Sequence, residues 1–382
     1  MSEVLLNQAA YFVQRGDLLR AEAVYREVLK HDPRNFEAHV ALAAILNRRG
    51  RPQEALAFYE QALAIRPDDA IAHSNCGGVL DALGRRQEAL AHYERALAIQ
   101  PDFTDAILNR SAALCALGRP DAALESLDSL LSAQPRNIFA LYNRSVALAG
   151  LERFEEAVQA CDAALDVDPN CADAWHNRGV ALSQMKRYEE ALPCFAKALE
   201  LRPDSAQSWS NRASALIELE RHAEAAADYE RALALDPDAP FARGYCVLAK
   251  LWCCDWNGLD EQKARIAQGL RAGLPVIQPF GNLLIAADPE GQFASARIWT
   301  ARHAGPRPAP LWRGERYDHA RIRVAYLSGD FREHAVSMLA VGLFERHDRA
   351  RFETVGVSFG PDDKSALDRK STRLNSSHGY IS

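Results

Sequence analysis

The sequence has neither an excess of positive charge nor a long apolar run. Its 45 Lys and Arg residues are outnumbered by 51 Asp and Glu residues, which gives a formal net charge of −6. A surface that follows a phosphate backbone is normally basic, so nucleic acid is not an expected partner. No segment approaches the ~18 consecutive apolar residues that cross a membrane. The N-terminal stretch MSEVLLNQAAYFVQRGD lacks the basic leader of a signal peptide, so we expect a soluble protein that binds no membrane.

The eight cysteines are scattered without a Cys-x-x-Cys pair. That spacing is typical of zinc and dithiol redox sites, so the pattern indicates reduced thiols in a cytoplasm. The adjacent Cys253 and Cys254 have no histidine or third cysteine at a spacing that would complete a metal site. We predict that this pair is buried, since cysteine packs as a small hydrophobe, and the residues point to no metal and no cofactor.

The chain carries an internal repeat. Its 382 residues are too many for one ordinary core. Prolines recur every 34 residues, at Pro33, Pro67, Pro101, Pro135, Pro169, Pro203 and Pro237. That interval is the period of tetratricopeptide repeats, in which each unit is a pair of helices.

The second helix of each unit shows the same three core positions. The first is always alanine: Ala21, Ala55, Ala89, Ala123, Ala157, Ala191 and Ala225. Four residues later comes a larger apolar side chain: Tyr25, Tyr59, Tyr93, Leu127, Cys161, Phe195 and Tyr229. Three residues further on stand Val28, Ala62, Ala96, Leu130, Ala164, Ala198 and Ala232. Spacings of i, i+4 and i+7 place all three on one helix face, small where helices touch and large where a gap must be filled.

The turn between the paired helices is marked by glycine in the first four units, at Gly16, Gly50, Gly84 and Gly118. Glu152, Lys186 and Glu220 replace it later. A helix tends to end on a residue that tolerates positive φ, which explains the glycines. Residues 2–239 therefore predict seven helix pairs, each resting on its neighbours, in a right-handed superhelix with an open concave groove.

An asparagine returns at the sixth position of the first helix in most units. After Asn7 and a vacancy at Ala41, the series is Asn75, Asn109, Asn143, Asn177 and Asn211. The sixth position lies ~200° from the eighth, a core position, so we expect it to face the groove.

These asparagines predict a ladder for extended polypeptide. Packed helices lie ~10 Å apart, and an extended chain advances ~3.3 to 3.6 Å per residue, so one asparagine would meet every third residue. Each carboxamide offers a donor and an acceptor to the peptide main chain. The alternative is structural: the amide can hydrogen-bond to the next repeat instead of a ligand. Arg110, Arg144, Arg178 and Arg212 follow the asparagines, and for them we favour solvated charge or pairing between repeats over contact with an acidic ligand.

After Pro237 the period stops. Residues 240–320 predict helices followed by a linker, AGPRPAPLWRGERYDHA, that is rich in proline and charge. Trp252 and Trp256 are spaced one helical turn apart, and we predict that they cover the open end of the superhelix.

Residues 321–366 predict a β-α-β unit, with strands at 322–327 and 352–359 and a helix at 334–346. The loop after the first strand of such a unit borders a ligand crevice, and Asp330 and His334 lie there. A histidine at a helix start is favoured as the neutral imidazole, which could accept a proton or a hydrogen bond from substrate.

The whole arrangement resembles the protein O-GlcNAc transferases and their bacterial relatives over about residues 2–366. The specific segments are CDW, RVAYLSGDFREHAVSML and FETVGVSFGPDD, in that order after the repeats. The resemblance implies that the asparagine ladder binds substrate polypeptide and that His334, with Asp330, belongs to the catalytic site. It also implies an inverting transfer of N-acetylglucosamine from UDP-GlcNAc, the expected donor of the full-length enzyme, to Ser or Thr hydroxyls.

Two features depart from that family. The family's donor pocket lies mainly in a second Rossmann-like lobe, and this chain supplies barely the start of the first, so we expect the chain itself to be inactive. Residues 367–382, LDRKSTRLNSSHGYIS, have neither strand nor helix pattern and resemble translated read-through of a sequencing adapter, so we expect a non-native tail.

The sequence thus predicts a mostly α protein, a tetratricopeptide superhelix followed by the truncated start of an α/β Rossmann-like lobe. The main functional reading is the N-terminal part of a protein O-GlcNAc transferase whose repeats retain polypeptide binding. The alternative is a tetratricopeptide scaffold that mediates protein–protein interaction without catalysis.

Overall fold

The computed structural model describes residues 2–286, 288–303, 322–328, 348 and 350–358. The chain divides after Gly305 into two compact units. The described part of the first unit begins with fourteen helices that alternate as first and second members of a pair. The first helices are α1 (Ser2–Gln14), α3 (Phe36–Arg48), α5 (Ala70–Ala82), α7 (Thr104–Ala116), α9 (Ile138–Gly150), α11 (Ala172–Gln184) and α13 (Ala206–Glu218). The second helices are α2 (Leu18–His31), α4 (Pro52–Ile65), α6 (Arg86–Ile99), α8 (Pro120–Ala133), α10 (Phe154–Val167), α12 (Tyr188–Leu201) and α14 (His222–Leu235).

The three apolar positions of the second helices form the core, as predicted. The alanines of the first position, from Ala21 to Ala225, are all 0% exposed. The larger side chains four residues later are buried as well, and so are the residues at the third position. The predicted superhelix of tetratricopeptide repeats is therefore confirmed, because each helix pair buries its apolar face against the neighbouring pairs.

The prolines between units have a defined role. Those from Pro33 to Pro203 lie in the turn before a first helix, and in four of these turns the proline carbonyl accepts a hydrogen bond from the fourth residue of that helix. The Nε1 of Trp175 and of Trp209 donates to the carbonyl of Pro169 and of Pro203, at 2.9 Å in both cases. His39 and His73 bond Pro33 and Pro67 in the same way, at 3.0 and 2.9 Å. These bonds fix the entry of α3, α5, α11 and α13.

The turns inside the pairs adopt the left-handed conformation that the glycines predict. The φ angles of Gly16, Gly50, Gly84 and Gly118 lie between 72° and 76°. Glu152, Lys186 and Glu220 hold the same conformation at φ 58° to 59°. A side chain with a Cβ pays roughly 1–2 kcal/mol there, so the last three repeats carry backbone strain that the earlier ones lack.

The first helices lie on the inner side of the superhelix. They pack against one another from repeat to repeat, as α5 does with α7 and α7 with α9, more closely than the second helices do. A stack whose first helices are closer together must curve toward them. The surface that the first helices form is called the groove.

Four more helices follow: α15 (Ala242–Trp252), α16 (Leu259–Arg271), α17 (Pro279–Ile285) and α18 (Pro289–His303). The end of the superhelix is covered by α15, where Tyr245 stacks on Tyr229 at a ring distance of 5.8 Å. Ala242, Cys246 and Ala249 are buried on the same side.

The prediction for the tryptophans is wrong for Trp256, whereas the ring of Trp252 lies 4.8 Å from that of His222, the first residue of α14 in the last repeat. Trp252 and Trp256 are 50% and 63% exposed. The reason is local: α15 ends at Trp252, and Cys254 takes a left-handed φ of 58°, so Trp256 is not one helical turn from Trp252. The predicted burial of Cys253 and Cys254 fails for the same reason, since both lie exposed after the end of the helix.

The described part of the second unit contains two strands, β1 (Ile322–Ser328) and β2 (Phe352–Ser358), at the places that the pattern predicts. They pair in parallel, from Ile322 opposite Phe352 to Ser328 opposite Ser358. The predicted helix at 334–346 and the predicted tail at 367–382 lie outside the described residues, and the proposed domain limits stay predictions. None of the described helices combines the length and the apolar character that a membrane crossing requires.

The strained turns lead to a stability prediction. We expect Lys186→Gly to raise the free energy of unfolding by about 0.5–1 kcal/mol, because relief of the left-handed strain exceeds the entropy that glycine adds to the unfolded chain. Lys186 is exposed, so no packing is lost. The matched control is Gly118→Lys at φ 72°, which should lower stability. Denaturant midpoints measure both variants, and a destabilised Lys186→Gly would contradict the reasoning.

Candidate functional site

The asparagine series lies along the groove at the register that the sequence predicts. Asn75, Asn109, Asn143, Asn177 and Asn211 are each the sixth residue of a first helix, in α5, α7, α9, α11 and α13. Their exposure differs along the series. Asn75 and Asn109 are exposed, whereas the other three are half-buried. The groove is therefore not uniform from one repeat to the next.

Asn143 binds the preceding repeat through its nitrogen. Its Nδ2 donates to the backbone carbonyl of Leu108 and to the Oγ of Ser111, both at 3.0 Å. A carbonyl can only accept, so this contact fixes which end of the carboxamide is the nitrogen. The Oδ1 of Asn143 has no donor among the described residues.

The next two asparagines make related contacts. The Nδ2 of Asn177 lies 3.4 Å from the Oγ of Ser145, and that of Asn211 lies 3.5 Å from the Nε2 of His176. All three nitrogens thus meet the preceding repeat. Both hydrogens of the Asn143 nitrogen have an acceptor in the preceding repeat, whereas the nitrogens of Asn177 and Asn211 meet one partner each and can still donate a second hydrogen. Within the described residues, Asn75 and Asn109 have no hydrogen-bond partner for their carboxamides.

A pocket of about 290 Å³ opens in the groove beside Asn177. It is lined by α9, α11, α12 and the start of α13. Asp173 and Arg202 form a two-pronged ion pair across it, at 2.7 and 2.9 Å. The pair cancels both charges, so the pocket is polar without a strong net charge.

His176 connects two repeats at the wall of this pocket. Its Nδ1 shares a hydrogen bond of 2.8 Å with the Oγ of Ser208, at the start of α13. Burial lowers the pKa of the His176 imidazole below its ordinary value of 6.5, and the neighbouring Arg202 lowers it further while Asp173 opposes the shift. The imidazole is therefore neutral at pH 7, and when its Nδ1 donates to Ser208 its Nε2 can accept from Asn211.

Exposed apolar side chains line the groove near the asparagines. Phe139 and Ile71 are 67% and 57% exposed, and each is the second residue of its first helix. On α9, Phe139, Tyr142 and Val146 follow one another at helical spacing along one face. These residues are not among those predicted from the sequence, although the same 34-residue register that aligns the asparagines also aligns the second positions.

The arginines next to the asparagines already have partners, between repeats for Arg144 and Arg178 and within one repeat for Arg110 and Arg212. Arg144 and Arg178 pair with Asp128 and Asp162 of the preceding repeat at 2.7 Å. Arg212 pairs with Asp228 at 2.6 Å, and Arg110 donates to the Oγ of Ser126 at 2.8 Å.

The predicted catalytic residues Asp330 and His334 lie outside the described residues. In the part of the chain that the structure describes, no three His, Cys, Asp or Glu side chains are grouped so that they could hold a metal ion.

Comparison with known proteins identifies the repeats. Family models of the tetratricopeptide repeat match residues 34–102, 80–144, 138–171, 172–205 and 206–239. Together these matches span residues 34–239 of the 382. No curated protein matches the chain.

A solved structure gives the same result for the fold, and two others are similar over a shorter part of the chain. A tetratricopeptide repeat protein from Parabacteroides merdae ATCC 43184 is 20% identical, with a TM-score of 0.58 over 65% of this chain and 98% of its own. YrrB, described as a TPR protein with an unusual peptide-binding site, is 25% identical over 48% of this chain and 95% of its own, at a TM-score of 0.39. TTC0263, a thermophilic TPR protein of Thermus thermophilus, is 27% identical over 48% of this chain and all (100%) of its own, at a TM-score of 0.44.

Because the imidazole of His176 is neutral in the folded chain, we expect the stability of the helices around it to fall at acidic pH. Its pKa is lower in the folded chain than in the unfolded chain, so the folded state binds fewer protons. The lowered pKa of His176 therefore contributes fully to the free energy of unfolding above pH 6.5, and this contribution is lost as the pH falls through the pKa of the folded state. We expect His176→Gln to reduce the loss of stability between pH 7 and pH 5.

Amide hydrogen exchange in α11 and α13 at several pH values measures this effect. The wild-type chain should lose protection there as the pH falls, and the variant should lose less. Identical pH dependence in the two proteins would contradict a role for His176.

Proposed function

Because the chain belongs to the tetratricopeptide-repeat family, we propose that it is a scaffold that binds extended polypeptide in the groove. The observation that carries this proposal is the row of carboxamides in successive first helices, each with at least one hydrogen-bonding atom free of partners among the described residues. The main-chain N–H and C=O groups of a peptide can hydrogen-bond to such a row of carboxamides, since they recur at a fixed spacing whatever the peptide's sequence.

The distance between adjacent first helices matches the repeat of main-chain groups in an extended peptide. First helices of adjacent repeats pack side by side, and packed helices lie ~10 Å apart. An extended chain covers that distance in about three residues. A peptide that follows the groove therefore brings one main-chain group to each asparagine in turn.

Selectivity would come from the residues between the asparagines. Ile71 and Phe139 expose apolar surface two repeats apart, which suits apolar side chains of the ligand about six residues apart. The pocket beside Asn177 is polar, and its two charged side chains satisfy each other. We infer that the ligand is chosen by apolar contacts and main-chain bonds more than by its net charge.

The asparagines without partners offer the cleanest test. Replacing Asn75 and Asn109 with alanine should weaken binding of a library-selected, 12-residue probe peptide by about 1–3 kcal/mol, given ~0.5–1.5 kcal/mol net per hydrogen bond. Gln61→Ala with Gln159→Ala is the matched control, since both glutamines are exposed on second helices. Isothermal titration calorimetry gives the affinities, and equal affinity of all three proteins would refute the ladder.

A second candidate function is supported by the strands of the second unit. We propose that the scaffold belongs to a protein O-GlcNAc transferase, an inverting glycosyltransferase that uses UDP-GlcNAc and modifies Ser or Thr of the bound polypeptide. The supporting observation is the parallel pairing of β1 and β2. Parallel neighbours require a crossover connection of a dozen or more residues, usually a helix, and the segment between these strands contains the motif with Asp330 and His334.

This candidate is tested with His334. Residues 1–366 joined to the second lobe of a family member should transfer N-acetylglucosamine from UDP-GlcNAc to a groove-bound peptide that contains serine. His334→Ala should abolish transfer and leave peptide affinity unchanged, because the groove lies in the first unit. Transfer that survives the substitution would remove His334 from the site, and absence of transfer in the parent fusion would leave the scaffold as the function.

A further inference from the structure

We propose that the pocket beside Asn177 is a subsite for one aromatic side chain of a bound polypeptide. The ring of the ligand takes the place that Phe36 holds four repeats earlier, where the chain fills the equivalent site with its own side chain. This inference rests on the proposed polypeptide-binding function and names a side chain that the groove recognises.

Phe36 shows what the site holds when it is filled. It is the first residue of α3, and it is 8% exposed. The guanidinium of Arg66 lies over its ring, 4.3 Å from the ring centre. Arg66 is held there by an ion pair with Glu37 at 2.8 Å. A guanidinium whose plane is fixed by a carboxylate stacks on an aromatic ring.

The sixth repeat has the same frame without the ring. Arg202 follows α12 as Arg66 follows α4, and among the seven second helices only these two are followed by arginine. Arg202 pairs with Asp173, the second residue of α11, at 2.7 and 2.9 Å. Glu37 has the same position in α3. The first residue of α11, however, is Ala172 in place of phenylalanine.

The lining of the pocket corresponds to the surroundings of Phe36. Three residues pack with Phe36 in one apolar cluster: Ala62, Ala72 and Val40. The residues at the same register four repeats later all line the pocket: Ala198, Ser208 and His176. The pocket is therefore the space that a phenylalanine ring fills in the second repeat and that Ala172 leaves open in the sixth.

The volume of the pocket fits one aromatic side chain. It measures about 290 Å³, whereas an apolar cavity of ~150 Å³ already holds benzene. Its carbon walls come from Tyr142, Val146, Ala172 and Ala198. Tyr142 and Val146 lie on α9, in the preceding repeat, so a ring in the pocket contacts two adjacent repeats.

The polar groups of the lining have partners without a ligand. Asp173 and Arg202 bond each other. Ser208 accepts from Ser205 at 2.9 Å and shares a hydrogen bond of 2.8 Å with His176. A ring can therefore fill the pocket without leaving these groups unpaired, whereas a charged side chain would compete with the ion pair for its partner. The guanidinium face of Arg202 favours a ring over an aliphatic side chain as well.

Ala172→Phe tests the subsite because it rebuilds the arrangement of the second repeat. We expect the new ring to lie under Arg202 and to close the pocket to a ligand. The probe is a 12-residue peptide selected from a random library for binding to this chain, with each aromatic residue replaced by alanine in turn. In the wild-type chain, one of these replacements should weaken binding roughly tenfold, because the buried area of one ring is lost.

The variant should bind the unmodified peptide roughly tenfold more weakly and should no longer distinguish it from that alanine peptide. Leucine at the same peptide position should recover only part of the affinity for the wild-type chain, because leucine cannot stack on the guanidinium. Ala91→Phe is the matched control, since Ala91 is exposed on α6, and it should leave the affinity unchanged. Thermal melting by circular dichroism checks that both variants fold.

A small probe tests the pocket without a polypeptide. N-acetyl-L-phenylalaninamide should shift the backbone amide NMR signals of Ala172 and Ser208 in a saturable way, and N-acetyl-L-leucinamide should bind several-fold more weakly. Ala172→Phe should abolish these shifts. The converse variant, Phe36→Ala, should open a second site for the same probe beside Arg66.

The two measurements distinguish this inference from the proposed function. A bound peptide without an aromatic position that depends on Ala172 overturns the subsite and leaves the groove as a binding surface. Full recovery by leucine overturns the preference for a ring, and a folded Phe36→Ala chain with no second site overturns the equivalence of the two repeats. If no library peptide binds, the proposed function fails, and the shifts at Ala172 and Ser208 alone decide whether the pocket takes an aromatic ring, since their absence overturns the inference.

Discussion

Everything in the repeats depends on the close approach of two helices at one alanine per unit. Ala21 and its six equivalents are completely buried, and a larger side chain there would push the helices apart. The approach fixes the rotation of each helix about its axis. Once that rotation is fixed, the sixth residue of the first helix must face the groove and the eighth must face the second helix. The chemistry of the groove follows from packing on the opposite side of the same helix.

The sequence predicts the orientation of each helix because that orientation follows from the periodic positions of its core residues. The 34-residue interval, the three core positions and the direction of the asparagines all follow from spacing, and the helices agree with them. The partners of the asparagines could not be predicted in the same way, since a hydrogen bond depends on distances of a few tenths of an ångström. A partial signal was nevertheless present: a side chain that can accept a hydrogen bond stands in the preceding repeat before each partnered asparagine, as Ser111 does before Asn143, Ser145 before Asn177 and His176 before Asn211.

The errors lie where periodicity ends. Trp252 and Trp256 have the spacing of a helical turn, yet the helix stops at Trp252 and the chain turns through a left-handed Cys254. A pattern of four residues says nothing about where the backbone leaves the helix. The end of the superhelix is covered by Tyr245 stacked on Tyr229 and by Trp252 against His222, and each contact joins a residue of the last repeat to one of the next helix. Such a contact depends on the pairing of two different elements, which a single-sequence pattern within one element does not contain.

The two functional proposals use the same groove and differ in the role of the second unit. A binding scaffold needs only the first unit, because its main-chain ladder and its apolar side chains are complete there. A transferase also needs groups that activate a hydroxyl and hold a sugar nucleotide, and the repeats contribute none of the residues that the family resemblance assigns to that chemistry. The parallel pair of β1 and β2 is a feature that a scaffold does not require, since a parallel pair forms only when a connection crosses over one face of a sheet. The segment between the strands, with Asp330 and His334, therefore decides between binding alone and binding coupled to chemistry.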